Sequence, residues 1–468
     1  MGTDQRKAIL SLFFITALGA GLRFFHLAQD SYWLDEMFSV HVVMQPGLSA
    51  LFWDNHPFLY HLILKVWTYF FGFLEFPTRS LSAVLSTGTI PLAGFLGLRL
   101  FGFRGLWIFA SLQAINPISL QFAQETRMYA QLELISYFSF SLFCRYFLGD
   151  RVRIGSYLLS LLLLSWTHYV SLLVSVVQGF SLTLHRRSLW RGWVLSTGIA
   201  LLSAFASYFY SFSWPHLEWQ KLKFALEPDS RWPWDILKAL SFHQTMILFG
   251  LGLGLIYLFR KRNHFPSSAL IPHLIAMVLV QMTILTVIGF VTERSLFLER
   301  YYTYLTPYFV LFLGSLLLLL SQAIKHQLVR ISFLIFCLCL LASASAPKVY
   351  ALAKSPWREV AHFIAQSPQP KVLTTRTLSI RSPYYDLKNV PVEKLNTQSP
   401  EAIEQILSAL ETYDRVWIVE IYFGSLTYWD SLKIDIINTG LELEQRSFEL
   451  PGAETIYTLE IKKAKPSE

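Results

Sequence analysis

Polar side chains are scarce in this sequence, and where they occur they form short clusters framed by aromatic residues. The segment SYWLDEMFSV (31–40) sets Asp35 and Glu36 side by side among Trp33, Leu34, Met37 and Phe38. A carboxylate held against apolar neighbours is destabilised in its charged form, so its pKa rises toward the range in which it accepts a proton. Asp35 is therefore the candidate general base, with Glu36 orienting a ligand or tuning its neighbour. The other reading of the same residues is a solvated acid pair at an interface. Further clusters are DNHP (54–57), Arg79, QETRMY (124–129), THY (167–169) and ERSLFLERYY (293–302). Arg79, Arg127, Arg294 and Arg300 carry the planar fork that matches phosphate oxygens. Each is equally suited to anchoring an interface or to pairing with a neighbouring acid, as Glu125 with Arg127 or Glu299 with Arg300. His56 and His168 are candidate hydrogen-bond donors, ranked behind the arginines. Tyr129, Tyr169, Tyr301 and Tyr302 offer faces on which a sugar ring stacks, although aromatic belts at membrane interfaces have the same composition.

The elements that must position these groups are greasy. Of 468 residues, 53% are hydrophobic and only 15% charged, where a soluble chain carries about a quarter charged. Runs such as 8–27 and 302–321 are long enough to cross roughly 30 Å of hydrocarbon as helices. The fold class expected is an α-helical multi-span membrane protein with about eleven spans: 8–27, 80–100, 105–122, 128–148, 153–168, 170–185, 191–212, 236–259, 268–291, 302–321 and 329–346. The first run exceeds a usual signal-peptide core and no small-residue cleavage site precedes Asp35, so it is expected to be retained.

The net charge of +8 does not point to nucleic acid. Residues 1–346 carry 25 Lys and Arg against 15 Asp and Glu, whereas residues 347–468 carry 14 against 16. The excess lies in turns between spans, including Arg6-Lys7, Arg99 and Arg104, Arg186-Arg187 and Arg260-Lys261-Arg262. Basic turns mark the cytoplasmic side, which puts the N-terminus inside and the acid and arginine clusters together outside. Residues 57–76, with His61, Lys65 and eight aromatics, read as a juxtamembrane helix and not as a span. Cys144, Cys337 and Cys339 lie in apolar runs and read as small buried hydrophobes, with no disulfide framework. From Pro347 the composition changes. SPWREVAHFIAQS and SPEAIEQILSALETY read as helices, the first with Ser355 as N-cap. KVLTTR, RVWIVEIYF, KIDIIN and ETIYTLEI read as strands. The expected domains are therefore 1–346 in the membrane and 347–468 as a small α/β domain on the outer side.

Several motifs together resemble the membrane-embedded glycosyltransferases of the GT-C fold. They are the Asp-Glu pair after the first span, HPFLY (56–60), RSLSAVLSTGTIPL (79–92), RLFGFRG (99–105), QETRMYAQ (124–131), the His168-Tyr169 pair and LERYYTYLTP (298–307). Over roughly residues 1–310 the chain is similar to the protein O-mannosyltransferases, the lipid A aminoarabinose transferases and related lipopolysaccharide-core sugar transferases. The resemblance implies a sugar donor carried on a polyprenyl phosphate and a lipid, glycan or protein acceptor, in a plasma (inner) membrane. It implies that Asp35 deprotonates the acceptor hydroxyl, which displaces the lipid phosphate with inversion. Arg127 matches the family's RMY motif and Arg300 its RY motif. Arg79, Glu125, Tyr129, His56, His168, Tyr169 and Tyr301 complete the implied donor phosphate and sugar site. The chain departs from the family at His56-Pro57-Phe58, where many relatives carry two prolines. Relatives that use a divalent ion hold it with several acids; here Glu125 sits beside Arg127, so no cofactor and no tightly held metal is expected, at most a weak divalent cation. The rival class is a transporter or flippase of a lipid-linked or anionic solute, for which Glu133 inside the fourth span is the candidate midplane acid.

Overall fold

The computed structural model describes residues 3–54, 56–150, 152–185, 190–212, 278, 280–285, 287–288, 299–322, 324–350, 356–374, 390–395, 399–421, 427–448 and 455–463. The expected span 236–259, most of 268–291, Arg294 and Ser355 lie outside them. The chain forms two compact units, one of residues 1–27, 45–70 and 78–349, the other of 28–44, 71–77 and 350–468.

The first unit is helical. It contains α1 (Thr3–Phe24), α3 (Leu59–Phe71), α4 (Glu75–Ala114), α5 (Pro117–Ala123), α6 (Tyr129–Leu148), α7 (Ile154–Thr167), α8 (Leu172–His185), α9 (Trp190–Phe212), α10 (Thr306–Gln322) and α11 (Gln327–Tyr350); α2 (Leu34–Met44) belongs to the second unit. Among the described residues, 5–24, 75–114 and 300–322 are long and apolar enough to cross a membrane, and the chain is a membrane protein. The 13 residues of α3 extend only about 20 Å, short of the hydrocarbon thickness. Gly72, at φ 85°, ends that helix in the left-handed conformation that glycine adopts without strain.

The expected spans 80–100 and 105–122 are revised. The separation between them stands, because α4 is two helical arms that meet at the non-helical Gly102 (φ 69°, ψ −159°), but the second arm stops at Ala114, short of residue 122. Asn116 then caps α5, accepting from the Ser119 N–H, with Pro117 as its first residue. The two arms of α4 pack so closely that a Cβ on Gly97 would strike the Gly105 carbonyl, and the reverse. Ala8, Leu12 and Ile15 of α1 pack on Ile90, Leu106 and Ala110 of both arms. Arg23, fully buried, donates to the Gln113 and Ala114 carbonyls at 3.0 Å each. Those are terminal carbonyls with no partner inside their own helix. Of the cysteines, Cys144 is buried, but Cys337 is half-buried and Cys339 exposed on the apolar surface of α11, which corrects the expectation that all three are internal.

The second unit is built on a five-stranded sheet: β1 (Pro370–Thr374), β2 (Val392–Lys394), β3 (Arg415–Ile421), β4 (Glu442–Phe448) and β5 (Ile456–Lys462), in the order β2-β1-β3-β5-β4. β1 is parallel to β2 and β3, and β5 is antiparallel to β3 and β4. Because side chains alternate across a strand, Val372, Trp417 and Val419 face one core while Leu373, Val416 and Ile418 face another. The first core holds Tyr32, Met37 and Val40 with Trp357, Val360 and Ile364 of α12 (Trp357–Ala365). The second holds α13 (Ser399–Thr412) and α14 (Thr427–Asn438). KIDIIN, read as a strand, lies in α14. Its alternating isoleucines mask a helical period, with Leu432 and Ile436 fully buried while Ile434 and Ile437 are exposed.

Candidate functional site

In the first unit, four connections bring polar residues together. The turn before α3 supplies Asp54, His56 and, one helical turn later, His61. The turn before α6 supplies Arg127. The end of α7 supplies His168, and the 3-10 turn 299–305 supplies Arg300 and Tyr301.

Asp54, only 4% exposed, is the hub. Its Oδ1 accepts from the His56 backbone N–H at 3.3 Å, closing an Asx turn, and lies 2.9 Å from His56 Nδ1. Its Oδ2 accepts from Arg127 Nη1 at 3.1 Å and lies 3.4 Å from His61 Nε2. Arg127 Nη2 is 3.2 Å from His56 Nδ1, so that nitrogen either donates to Asp54 or accepts from Arg127, according to tautomer. Burial alone would push the Asp54 carboxyl up. The Arg127 guanidinium and the His56 ring outweigh it and hold the acid well below the usual carboxylate range. Burial lowers His61 to about 4 against the attraction of Asp54. At neutral pH the centre of the cluster is thus one carboxylate, one guanidinium and an uncharged His61.

Arg127 is held from behind. The Glu125 carbonyl accepts its N–H at 2.8 Å in a tight turn. Its own carbonyl accepts from Ser82 Oγ at 3.3 Å, and Thr126 Oγ1 donates to Thr78 Oγ1 at 3.0 Å. Both partners are on α4, so the kinked helix sets the height of the arginine. At the next turn Gln131 of α6 donates to Thr167 Oγ1, the last residue of α7, at 2.8 Å. That bond fixes His168 relative to Arg127. His168 has an extended backbone, and its ring lies tilted against those of His56 (ring centroids 5.0 Å), Tyr301 (5.3 Å) and Tyr129 (6.3 Å). Arg300 lies over the Tyr301 ring at 5.6 Å.

The structure therefore brings together Arg127, Tyr129, His56, His168, Arg300 and Tyr301. Glu125 is buried beside them in sequence; Tyr169 opens the 3-10 turn after His168, half-buried. Arg79, fully buried on α4, donates Nη1 to the Leu27 carbonyl at 3.0 Å, so a backbone group of the chain itself occupies that fork. Asp35 and Glu36 fall in the second unit, in the first turn of α2, where the helix dipole favours acids. Asp35 is half-buried. Glu36 is fully buried and accepts the Trp33 N–H at 3.3 Å, which is the N3 half of a capping box. Sequence reasoning named Asp54 only as part of DNHP and His61 only as an interfacial residue. The usable signal was the spacing: His61 lies on the same face of α3 as Tyr60, Leu64 and Thr68, all buried.

Among the described residues no three His, Cys, Asp or Glu side chains form a group able to hold a metal ion; the Arg127 guanidinium occupies the place beside Asp54 that a cation would need. Glu133, the acid within α6, is engaged by Gln113 Nε2 at 2.8 Å and Ser119 Oγ at 2.5 Å.

The helices, the kinked α4 and the turns that carry this cluster define a GT-C membrane fold. Two solved structures share it along nearly their whole length. One is ArnT from Cupriavidus metallidurans in the apo state, at a TM-score of 0.60 and 13% identity, covering 98% of both chains. The other is the same protein bound to undecaprenyl phosphate, at 0.58 and 12%, covering 95% of this chain and 97% of that one. At such identity the likeness is one of fold. No family model matches the sequence, and no curated protein matches it.

Proposed function

We propose that the chain is an inverting glycosyltransferase that moves a hexosyl or pentosyl group from a polyprenyl-phosphate-linked donor to a hydroxyl acceptor (lipid, glycan or protein) at the outer face of the plasma membrane. The observation that carries this reading is the buried Arg127, clamped by Asp54 and flanked by His56, His168, Tyr301 and Arg300, in a fold that in ArnT accommodates undecaprenyl phosphate. A guanidinium already oriented by a carboxylate is a fixed positive charge that meets phosphate oxygens at little reorganisation cost. Aromatic rings on one side suit a sugar face. The basic turns between spans support an N-terminus inside and the second unit outside.

The chemistry proposed is a single displacement. The acceptor oxygen bonds to the anomeric carbon while its proton passes to Asp35. The bond from that carbon to the phosphate oxygen breaks, and polyprenyl phosphate leaves with the electron pair, its charge met by Arg127. Transport is the weaker reading because Glu133 is already satisfied by Gln113 and Ser119. The test is mass spectrometry of glycolipids and glycoproteins from cells lacking the gene and from cells complemented with wild type or Asp35→Asn. A glycan that wild type restores and the variant, present at normal level in the membrane, does not restore supports the reading. Restoration by the variant removes Asp35 as base, and no glycan difference removes the reading.

A further inference from the structure

The histidine of the THY segment has one nitrogen accounted for and one aimed at something else. His168 Nδ1 accepts the Val170 N–H at 3.2 Å, which leaves its ring proton on Nε2. That Nε2–H is buried, in a residue only 4% exposed, and meets no acceptor among the described residues. An unmet buried donor destabilises the site that holds it, so a ligand oxygen that accepts from it recovers that loss. The ring is walled by His56, Tyr301 and Tyr129 at centroid distances of 5.0, 5.3 and 6.3 Å. Burial first, then the nearby His56 ring and Arg127, hold the imidazole well below its ordinary pKa. A phosphate has better partners in the charged Arg127 and Arg300. A single neutral donor set among rings matches an uncharged oxygen on a saccharide, and a protonated amine has no lone pair with which to accept from it.

We infer that the His168 Nε2–H is a specificity contact to a hydroxyl oxygen of the transferred sugar, at the ring carbon that carries the amine in an amino sugar, separate from the phosphate contact at Arg127, and that it selects a hydroxyl over an ammonium at that position. The inference rests on the reading of the cluster as a lipid-phosphate-sugar site. Its test measures binding of three lipids to the purified full-length protein in detergent: undecaprenyl phosphate, its mannosyl ester and its aminoarabinosyl ester. Wild type is expected to hold the mannosyl lipid about tenfold more tightly than the bare phosphate, one hydrogen bond with its aromatic wall, and the amino sugar no better than the bare phosphate. His168→Asn keeps an acceptor for Val170 but loses the distal donor. It should abolish the mannosyl increment and leave the bare-phosphate affinity unchanged. His168→Gln restores a donor at the distal reach and should recover part of the increment. Arg127→Met should weaken all three lipids. If His168→Asn weakens bare phosphate as much as Arg127→Met does, or leaves the increment intact, His168 is not the sugar contact. If wild type binds none of the lipids, the reading of the site itself fails.

Discussion

Asp54 and Arg127 form an ion pair with both side chains nearly excluded from solvent, at 6% and 3% exposure. Replacing Asp54 with Asn keeps the shape and the Asx turn and removes only the charge that compensates the guanidinium. Breaking a buried pair from one side costs about 3–5 kcal/mol, because the remaining charge stays desolvated. Here His56 and His61 cannot take over, since neither supplies negative charge, so the expected loss is about 3 kcal/mol or more. Arg127→Met should cost a similar amount by stranding Asp54. The double variant removes both charges and so leaves neither one buried without its counter-charge; it should be more stable than either single variant. The assay is SDS-driven unfolding in mixed micelles, followed by the fluorescence of the chain's 14 tryptophans, on all four members of the cycle. A coupling energy above about 2 kcal/mol is expected for neighbours of this kind. Additive effects, with coupling under about 0.5 kcal/mol, would refute the view that Asp54 exists to hold Arg127.

Other outcomes follow from the same geometry. His61 titrates near 4 in the folded chain against 6.5 unfolded. As pH falls through that window the unfolded chain takes up a proton the folded chain refuses, so its contribution is intact above pH 6.5 and declines toward pH 4, by about 3 kcal/mol. His61→Asn should flatten that acid limb in a pH series of unfolding curves. Asp54, whose pKa is depressed, adds little to that limb, because its stabilisation begins to fall only as pH reaches the ordinary carboxylate pKa at the limb's acid end. Gly97→Ala drives a methyl into the Gly105 carbonyl; overpacking of this kind costs about 1–3 kcal/mol and should appear as a lowered melting temperature. In the second unit Arg358 donates to Glu75 Oε1 at 2.8 Å and to the Asp30 carbonyl at 3.4 Å. Arg358→Ala should speed amide exchange in residues 28–33 while leaving the sheet protected; unchanged exchange there would show that Tyr32 packing alone holds the segment.

The sequence determined by itself the elements whose cause is local. Apolar runs mark α1, α6, α7, α8, α9 and α10 within a few residues, because an uninterrupted apolar run away from water satisfies its backbone polar groups by closing a helix on itself. Asn116-Pro117 and Gly102 mark α4 and α5 with ordinary cap and kink chemistry, yet 105–122 reads as one span because its hydropathy does not fall there. The cluster residues were legible as types: an arginine in RMY, histidines in DNHP and THY, tyrosines beside an arginine. Which of them meet was not. Asp54 and Arg127 are 73 positions apart, and Tyr301 lies 133 beyond His168; only the folded helices set those distances. Tertiary structure also decided that Arg79 faces a backbone carbonyl and that residues 28–44 pack with the sheet of residues 370–462. The physical reason is the same in each case. Hydrophobicity and capping act along the chain and can be read from it, whereas an ion pair or a shared core is a relation between segments, and no segment carries both halves.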